Sequence, residues 1–466
     1  MISKSLAKLV LNESLSTGAD FAELYLEDTT THSINYDNGK VEAIGSTSSL
    51  GVGLRLLKDN RSVYGYTNEV NKKNLLSLAN RLKAAFNGTR IKSVDNFKNI
   101  KVKDLSPIVD SYFVTPIEEK IKMLELAHQT MKSYSPLVIR TLCMMAASKK
   151  SVEIYNSNGQ HFKDYKERER LIIEAIAAKG DKHEIGFIGP GAKDGMNFFR
   201  KLDIASLAKE AADDAVTSLD AKECPSGKMP VVIGNGFGGV LFHESCGHPL
   251  EASAVSRNLS VFSNKKGEQI ASSIVSAYDD GTIPNAWGSN NIDDEGTPTH
   301  KTCLIKNGIL NEYLIDNFNG RRMKEVGNGA CRRESYKYEP TSRMSNTYID
   351  NGSTPVEEII KNTKLGLYAK KLGGGSVNPV NGEFEFAVNV GYIIRDGKVA
   401  ERVRGATLIG KGAEILKNID MVGNDLERAQ GICGASSGNI PTDVGQPTIR
   451  VKELLVGGNG GKLVWM

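Results

Sequence analysis

Two histidines stand five residues apart in the stretch GNGFGGVLFHESCGHPLEA, residues 234–252. An apolar run, MPVVI at 229–233, leads into it like a buried strand, and the glycines then turn the chain into a helix carrying His243, Glu244 and His248. A pair of histidines on one helix, with a glutamate beside the first, is the pattern of zinc hydrolases, where the glutamate serves as base toward a water on the metal. In that pattern the histidines are four residues apart. At about 100° per residue, five steps carry the second imidazole roughly 140° around from the first, so a regular helix cannot aim both at one ion. The stretch therefore predicts a local distortion, either one π-type turn or a break at Gly247 just before His248 and Pro249.

A third donor is offered by GICGASSGNIPTDVGQ, residues 431–446, where Cys433 sits among loop-forming glycines that leave its sulfur room to approach an ion. Two imidazoles and one thiolate leave the fourth tetrahedral position open, the arrangement of a catalytic zinc. Other readings stay open. Gly234, Gly236 and Gly239 satisfy GxGxxG, but no second strand or βαβ series follows at the distance a dinucleotide fold requires. These glycines are expected instead to let backbone approach a peptide closely. Cys433 with His243 or His248 could form the nucleophile and base of a cysteine hydrolase, which leaves Glu244 without a task. A non-catalytic, zinc-stabilised binding or modulator protein would need a fourth protein ligand, for which Cys246 is the candidate.

The HExxxH in GFGGVLFHESCGH, the segment RRESYKYEPTSRMSNTYI (332–349), the stretch NGEFEFAVNVGYIIRDGKVAERVRGATLIG (381–410) and the GICG…VGQP ending together resemble the TldD/PmbA family of metallopeptidases. The resemblance covers nearly the whole chain and is to the TldD branch, because PmbA-type members lack the histidines. It implies a zinc ion (Zn2+) on His243, His248 and Cys433, with Glu244 as the catalytic glutamate. It further implies a peptidase for unfolded or flexible peptides, held as an added β-strand; Gly238, Arg343 and Asn346 are the candidates for touching substrate. Members of this kind work as dimers, so a homodimer, or a heterodimer with a metal-free PmbA-type homologue, is expected.

At 466 residues the chain exceeds one core, and the break AKECPSGKMP suggests two domains. Residues 1–225 read as an N-terminal α+β domain of antiparallel strands and helices. Residues 226–466 read as a largely antiparallel, barrel-like β domain carrying the metal-site helix and the catalysis, so the fold class is α+β. In the first part, helices are expected over 71–86, from Thr115 with a capping box to Glu118, and over 203–219; strands are expected over 137–147, 151–155 and 171–177. The run KDYKERER at 163–170 mixes signs and reads as a solvated face. Arg321, Arg322, Arg332 and Arg333 serve either as surface salt bridges or to capture a peptide carboxylate.

No window approaches the ~18 to 20 apolar residues of a membrane span. The N-terminus, with Ile2, Leu6, Leu9 and Val10 at helical spacing, reads as an amphipathic helix rather than a signal peptide. Six cysteines without paired spacing point to the reducing cytoplasm. A formal charge of +4, evenly spread, excludes a nucleic-acid footprint.

Overall fold

The computed structural model describes residues 2–378 and 382–463. In the first half the strands are unusually long, running on through polar stretches such as 28–33 and 45–49. Arg61–Thr67, Lys40–Lys58, Phe21–Asp37, Val138–Asn156 and Gln160–Lys179 pair in that order, each antiparallel to the next. The first hairpin turns at Asn38 and Gly39, both at positive φ, the conformation that asparagine and glycine tolerate best. Helices Lys4–Ser14 and Lys72–Lys83 bury Leu11, Leu75 and Ala79 against one end of this sheet. Ile117–Tyr134 and Ile204–Ser218 bury Leu124, Met131 and Ala211 against the other.

Three expectations for this half need correction. The strands anticipated at 137–147 and 151–155 are one continuous strand, and the one at 171–177 is the end of a strand that starts at Gln160. The run 163–170 is not a solvated face: only Lys163 and Tyr165 are exposed, Asp164, Lys166 and Arg168 are buried beneath the second half of the chain, and Glu167 and Glu169 are buried against loops of the first half. Each has a partner there or in a neighbouring loop. Arg168 donates to Trp287 O, Ser289 O and Asn290 Oδ1, Lys166 pairs with Asp294, and Asn291 donates to Asp164. Glu167 accepts from Ser111 and Tyr112 N, and Glu169 from the amides of Asp194 and Gly195. Nor does Thr115 cap its helix. Its hydroxyl donates to Ser111 O, closing the short turn Tyr112–Val114, and the helix starts one residue after Pro116.

In the second half, Gly227–Ile233, Leu365–Val377, Glu383–Arg395, Ala406–Lys411 and Ile449–Gly457 pair around a closed circuit and form a barrel. Val231, Ile233, Leu367, Phe386, Leu408 and Val451 share its core, each contributing about 1.5 to 3 kcal/mol of burial. A second sheet packs beside it, in the order Ile309–Leu310, Lys301–Lys306, Ala277–Asp280, Asn346–Ile349, Gly438–Gln446, Glu427–Ala435. The last of these is an edge strand. The fold is α+β with mostly antiparallel sheets, as the sequence implied.

Three of the four arginines of the basic cluster, Arg321, Arg322 and Arg333, tie the two halves together. Arg321 pairs with Asp20 and Arg322 donates to Asn60 O. Arg333 pairs with buried Glu23, which Arg55 also reaches while it pairs with Glu295. Arg332 donates to Met344 O and Pro441 O. Arg332 and Arg333 are buried in these contacts. Among the described residues no helix is long and apolar enough to cross a membrane.

Candidate metal centre

The barrel strand Gly227–Ile233 delivers the chain into a tight turn, Gly236–Gly239, and then into the helical stretch Val240–Phe242. A Cβ at Gly234 would overlap Lys370 O, and one at Gly239 would overlap the backbone of Gly445. These glycines thus allow the turn to press against the protein's own strands, and not against a peptide as the sequence suggested. Gly238 is buried by the side chain of Gln446.

The predicted distortion is present. Residues His243–Gly247 form a π-turn, in which the amide of His248 donates to His243 O five residues back, and His248–Leu250 then tightens into a 3₁₀ turn. The wider turn cancels the extra rotation and brings both imidazoles to one side, with ring centroids 5.0 Å apart. Leu241, Phe242 and Cys246 on the remaining sides enter the core. Cys246 is fully buried there, and burial pushes its thiol pKa well up.

Cys433 arrives from the edge hairpin. Its Sγ lies 3.2 Å from His243 Nε2 and 3.2 Å from His248 Nε2, so both imidazoles address the same sulfur. Burial opposes ionisation of Cys433, but the two adjacent imidazoles outweigh it and bring the thiol down to about 3. Burial likewise lowers the basicity of His248, and Glu251 with Cys433 reverses this, leaving it raised well above an ordinary histidine. Glu244 stands beside the trio, its Oε2 3.7 Å from His248 Nε2, partly exposed and otherwise unengaged.

Two residues that hold the trio were not singled out for this role in the sequence. Glu251 Oε1 accepts from His248 Nδ1 at 3.0 Å, which orients that ring and leaves Nε2 to face the sulfur. Its signal is a carboxylate three residues beyond a candidate ligand. Arg343, at 0% exposure, donates to Cys433 O, Ser437 Oγ and Gly438 O and so clamps the cysteine's hairpin. Asn346 is equally buried; it donates to Asp280 O and Ser289 Oγ and accepts from Gly288 N. Arg343, Asn346 and Gly238 therefore lie inside the protein around the site.

The donor set fits a zinc ion. A tetrahedral ion with bonds of about 2.0 Å to nitrogen and 2.3 Å to sulfur would separate such atoms by roughly 3.6 Å, close to the spacing seen. His243, His248 and Cys433 all offer atoms within 4.8 Å of one another. Glu295, Asp316 and Cys331 also cluster within that limit, but their carboxylates are already committed. Arg55 and Asn317 N take Glu295, while Phe318 N, Asn319 and Ser342 N take Asp316.

Glu251→Ala should weaken zinc binding about 10- to 100-fold while the chain stays folded, the usual cost of losing a carboxylate behind a ligating histidine. Competition with a chromophoric chelator would read this, and unchanged affinity would remove Glu251 from the site.

Comparison with known proteins places these features in context. Residues 226–458 match the model of the PmbA/TldA metallopeptidase C-terminal domain, 22–86 that of domain 1, and 113–219 that of the central domain. A protein from Buchnera aphidicola subsp. Acyrthosiphon pisum named "Metalloprotease TldD homolog" is 34% identical over 466 residues, covering 97% of this chain and 95% of its own. A Haemophilus influenzae protein of the same name is 34% identical, with 94% and 93% covered. The crystal structure of TldE from Thermococcus kodakarensis superposes with a TM-score of 0.77 over 97% of this chain and all of that one. At 18% identity, that last likeness is one of fold.

Proposed function

The chain belongs to the PmbA/TldD metallopeptidase family, and from that premise we propose that it is a zinc-dependent peptidase acting on unfolded or flexible peptides. The observation that carries the reading is the convergence of His243 Nε2, His248 Nε2 and Cys433 Sγ beside the carboxylate of Glu244. These three donors are the proposed ligands. A bound zinc ion would supply Lewis acidity, polarising a peptide carbonyl and acidifying water. Glu244 moves the proton: its Oε2 takes it from the attacking water and hands it to the departing amine nitrogen. Glu251 and Arg343 are positioning residues, one for the ring of His248 and the other for the backbone of Cys433.

The proposed substrate lies as an added strand along Glu427–Ala435, the free edge of the second sheet. Support comes from the register. Asp443 gives its amide to Ser345 on the opposite side, so its ladder partner Gln430 turns its own backbone groups outward. Ile432 and Gly434, two and four residues on, do the same, and Ile432 is 55% exposed. Recognition by main chain alone suits substrates of varied sequence.

Two other parts of the reading rest on family membership and composition. The protein is proposed to work as a dimer, with itself or with a metal-free PmbA-type homologue. Six free cysteines support a reducing, cytoplasmic setting.

A lowered thiol 3.2 Å from an imidazole also suits a cysteine nucleophile, and the test separates the two. Dialysis against phenanthroline should abolish hydrolysis of an unstructured peptide, and zinc should restore it. Hydrolysis that survives chelation and stops with iodoacetamide would favour the thiol. No hydrolysis by zinc-loaded protein would favour a binding or modulator role.

A further inference from the structure

The free edge beside Cys433 is short. At Gln430, Arg170 Nη2 donates to the outward carbonyl at 3.3 Å, and the amide of Gly191 donates to the Gln430 side chain. At Gly431, Trp287 Nε1 donates to the carbonyl at 2.8 Å. Gly431 is the ladder partner of Thr442 and turns its backbone groups inward, so the outer side is blocked at Gln430 by Arg170, and among the described residues nothing pairs with it beyond that point, over 432–435. Arg170 thus occupies the hydrogen-bond position that an added strand would need next.

Its chemistry is unusual for this neighbourhood. Arg168, Arg332, Arg333 and Arg343 each make several hydrogen bonds or an ion pair. Arg170 makes one long hydrogen bond, stacks over the Trp287 ring at 5.6 Å and leaves Nε buried without a partner. The acid that acts on it from a distance, Asp443, is already held by Arg428 and Gln430. Arg170 is a cation without an anion, at the closed end of the edge.

We propose that Arg170 receives the free C-terminal carboxylate of a peptide lying antiparallel on residues 432–435, so that the protein trims short fragments from peptide C-termini. The inference rests on the peptidase reading and deepens it. A strand antiparallel to Glu427–Ala435 runs from Ala435 toward Gln430 and presents its carboxyl end there; a parallel one would bring an ammonium group to a guanidinium. Cys433 lies three residues from Gln430, about 10 Å along a strand at roughly 3.3 Å per residue. A chain anchored at Arg170 is therefore cut roughly two or three residues from its end. Each turnover consumes one water: the C–N bond breaks, the water's oxygen joins the acyl carbon, and a proton goes to the amine of the released fragment.

The test offers one unstructured octapeptide to the zinc-loaded full chain as free acid and as C-terminal amide, with products read by mass spectrometry. The acid should lose a di- or tripeptide with kcat/KM at least tenfold above the amide, chiefly through KM. Arg170→Gln should bring the acid to the amide's value, and Arg170→Lys should restore part of the difference. Calorimetry on the Glu244→Gln protein reads binding without turnover: the acid should bind more tightly, and Arg170→Gln in that background should erase the preference. Equal binding of acid and amide, or cuts scattered without regard to the C-terminus, overturns the inference. If neither peptide is cut, the peptidase reading fails, and the calorimetric preference alone decides whether Arg170 holds a carboxylate.

Discussion

Cys433→Ser, purified beside the unaltered protein, is expected to lose nearly all its zinc, from about one ion per chain to close to none by elemental analysis. The thiolate is the only anionic donor of the trio and the only one supplied from outside the helix. A serine hydroxyl does not ionise at neutral pH and is a poor zinc ligand. The fold should survive, because Arg343 grips Cys433 through its carbonyl and not its sulfur. A thermal unfolding midpoint that drops only by the stabilisation the metal itself confers would show this. Zinc retained undiminished in the variant, or missing from the native protein, would end the three-ligand assignment.

The second large effect falls on turnover alone. Glu244→Gln should keep zinc and lower kcat by about 10²- to 10⁴-fold, the range associated with a general base. The substitution is nearly isosteric and Glu244 has no protein partner closer than His248, so stability should move by no more than about 0.5 kcal/mol. Single-turnover peptide cleavage beside a zinc assay checks both halves. A variant that still cleaves at the native rate assigns the proton work elsewhere.

Local information carried far in this chain. The spacing of His243 and His248 called for a π-turn or a break at Gly247, because helix geometry leaves few ways to face one ion, and the structure takes the π-turn. The helix expected over 203–219 is there, with Asp203 capping it through Ser206 N. Asn38-Gly39, Asn307-Gly308 and Asp396-Gly397 all turn with positive φ. What the sequence hid was set by distant partners. KDYKERER looks solvated until Trp287, Ser289 and Asp294 arrive to bury it. The barrel closes through pairing of Gly227–Ile233 with Ile449–Gly457, a contact no local pattern announces. Arg343 and Asn346 belong to a matched segment, yet the structure commits their polar groups to Cys433, Ser437, Asp280 and Ser289. Glu251 becomes a partner of His248 only because the helix tightens after the π-turn.

The short open edge also bears on how the protein keeps to itself at high concentration. An unpaired strand is a template for any other strand, including the same edge of another copy, and long exposed edges seed aggregates. Here Arg170 blocks the strand at Gln430, and two of its last five residues are glycines, Gly431 and Gly434. The positions 432–435, of which Ile432 and Gly434 turn their backbone groups outward, can hold one extended peptide but give two copies too little to zip together. Trp287→Ala, by removing the ring that Arg170 rests on and so loosening its hold on the outward Gln430 carbonyl, should make the protein more prone to self-association on storage.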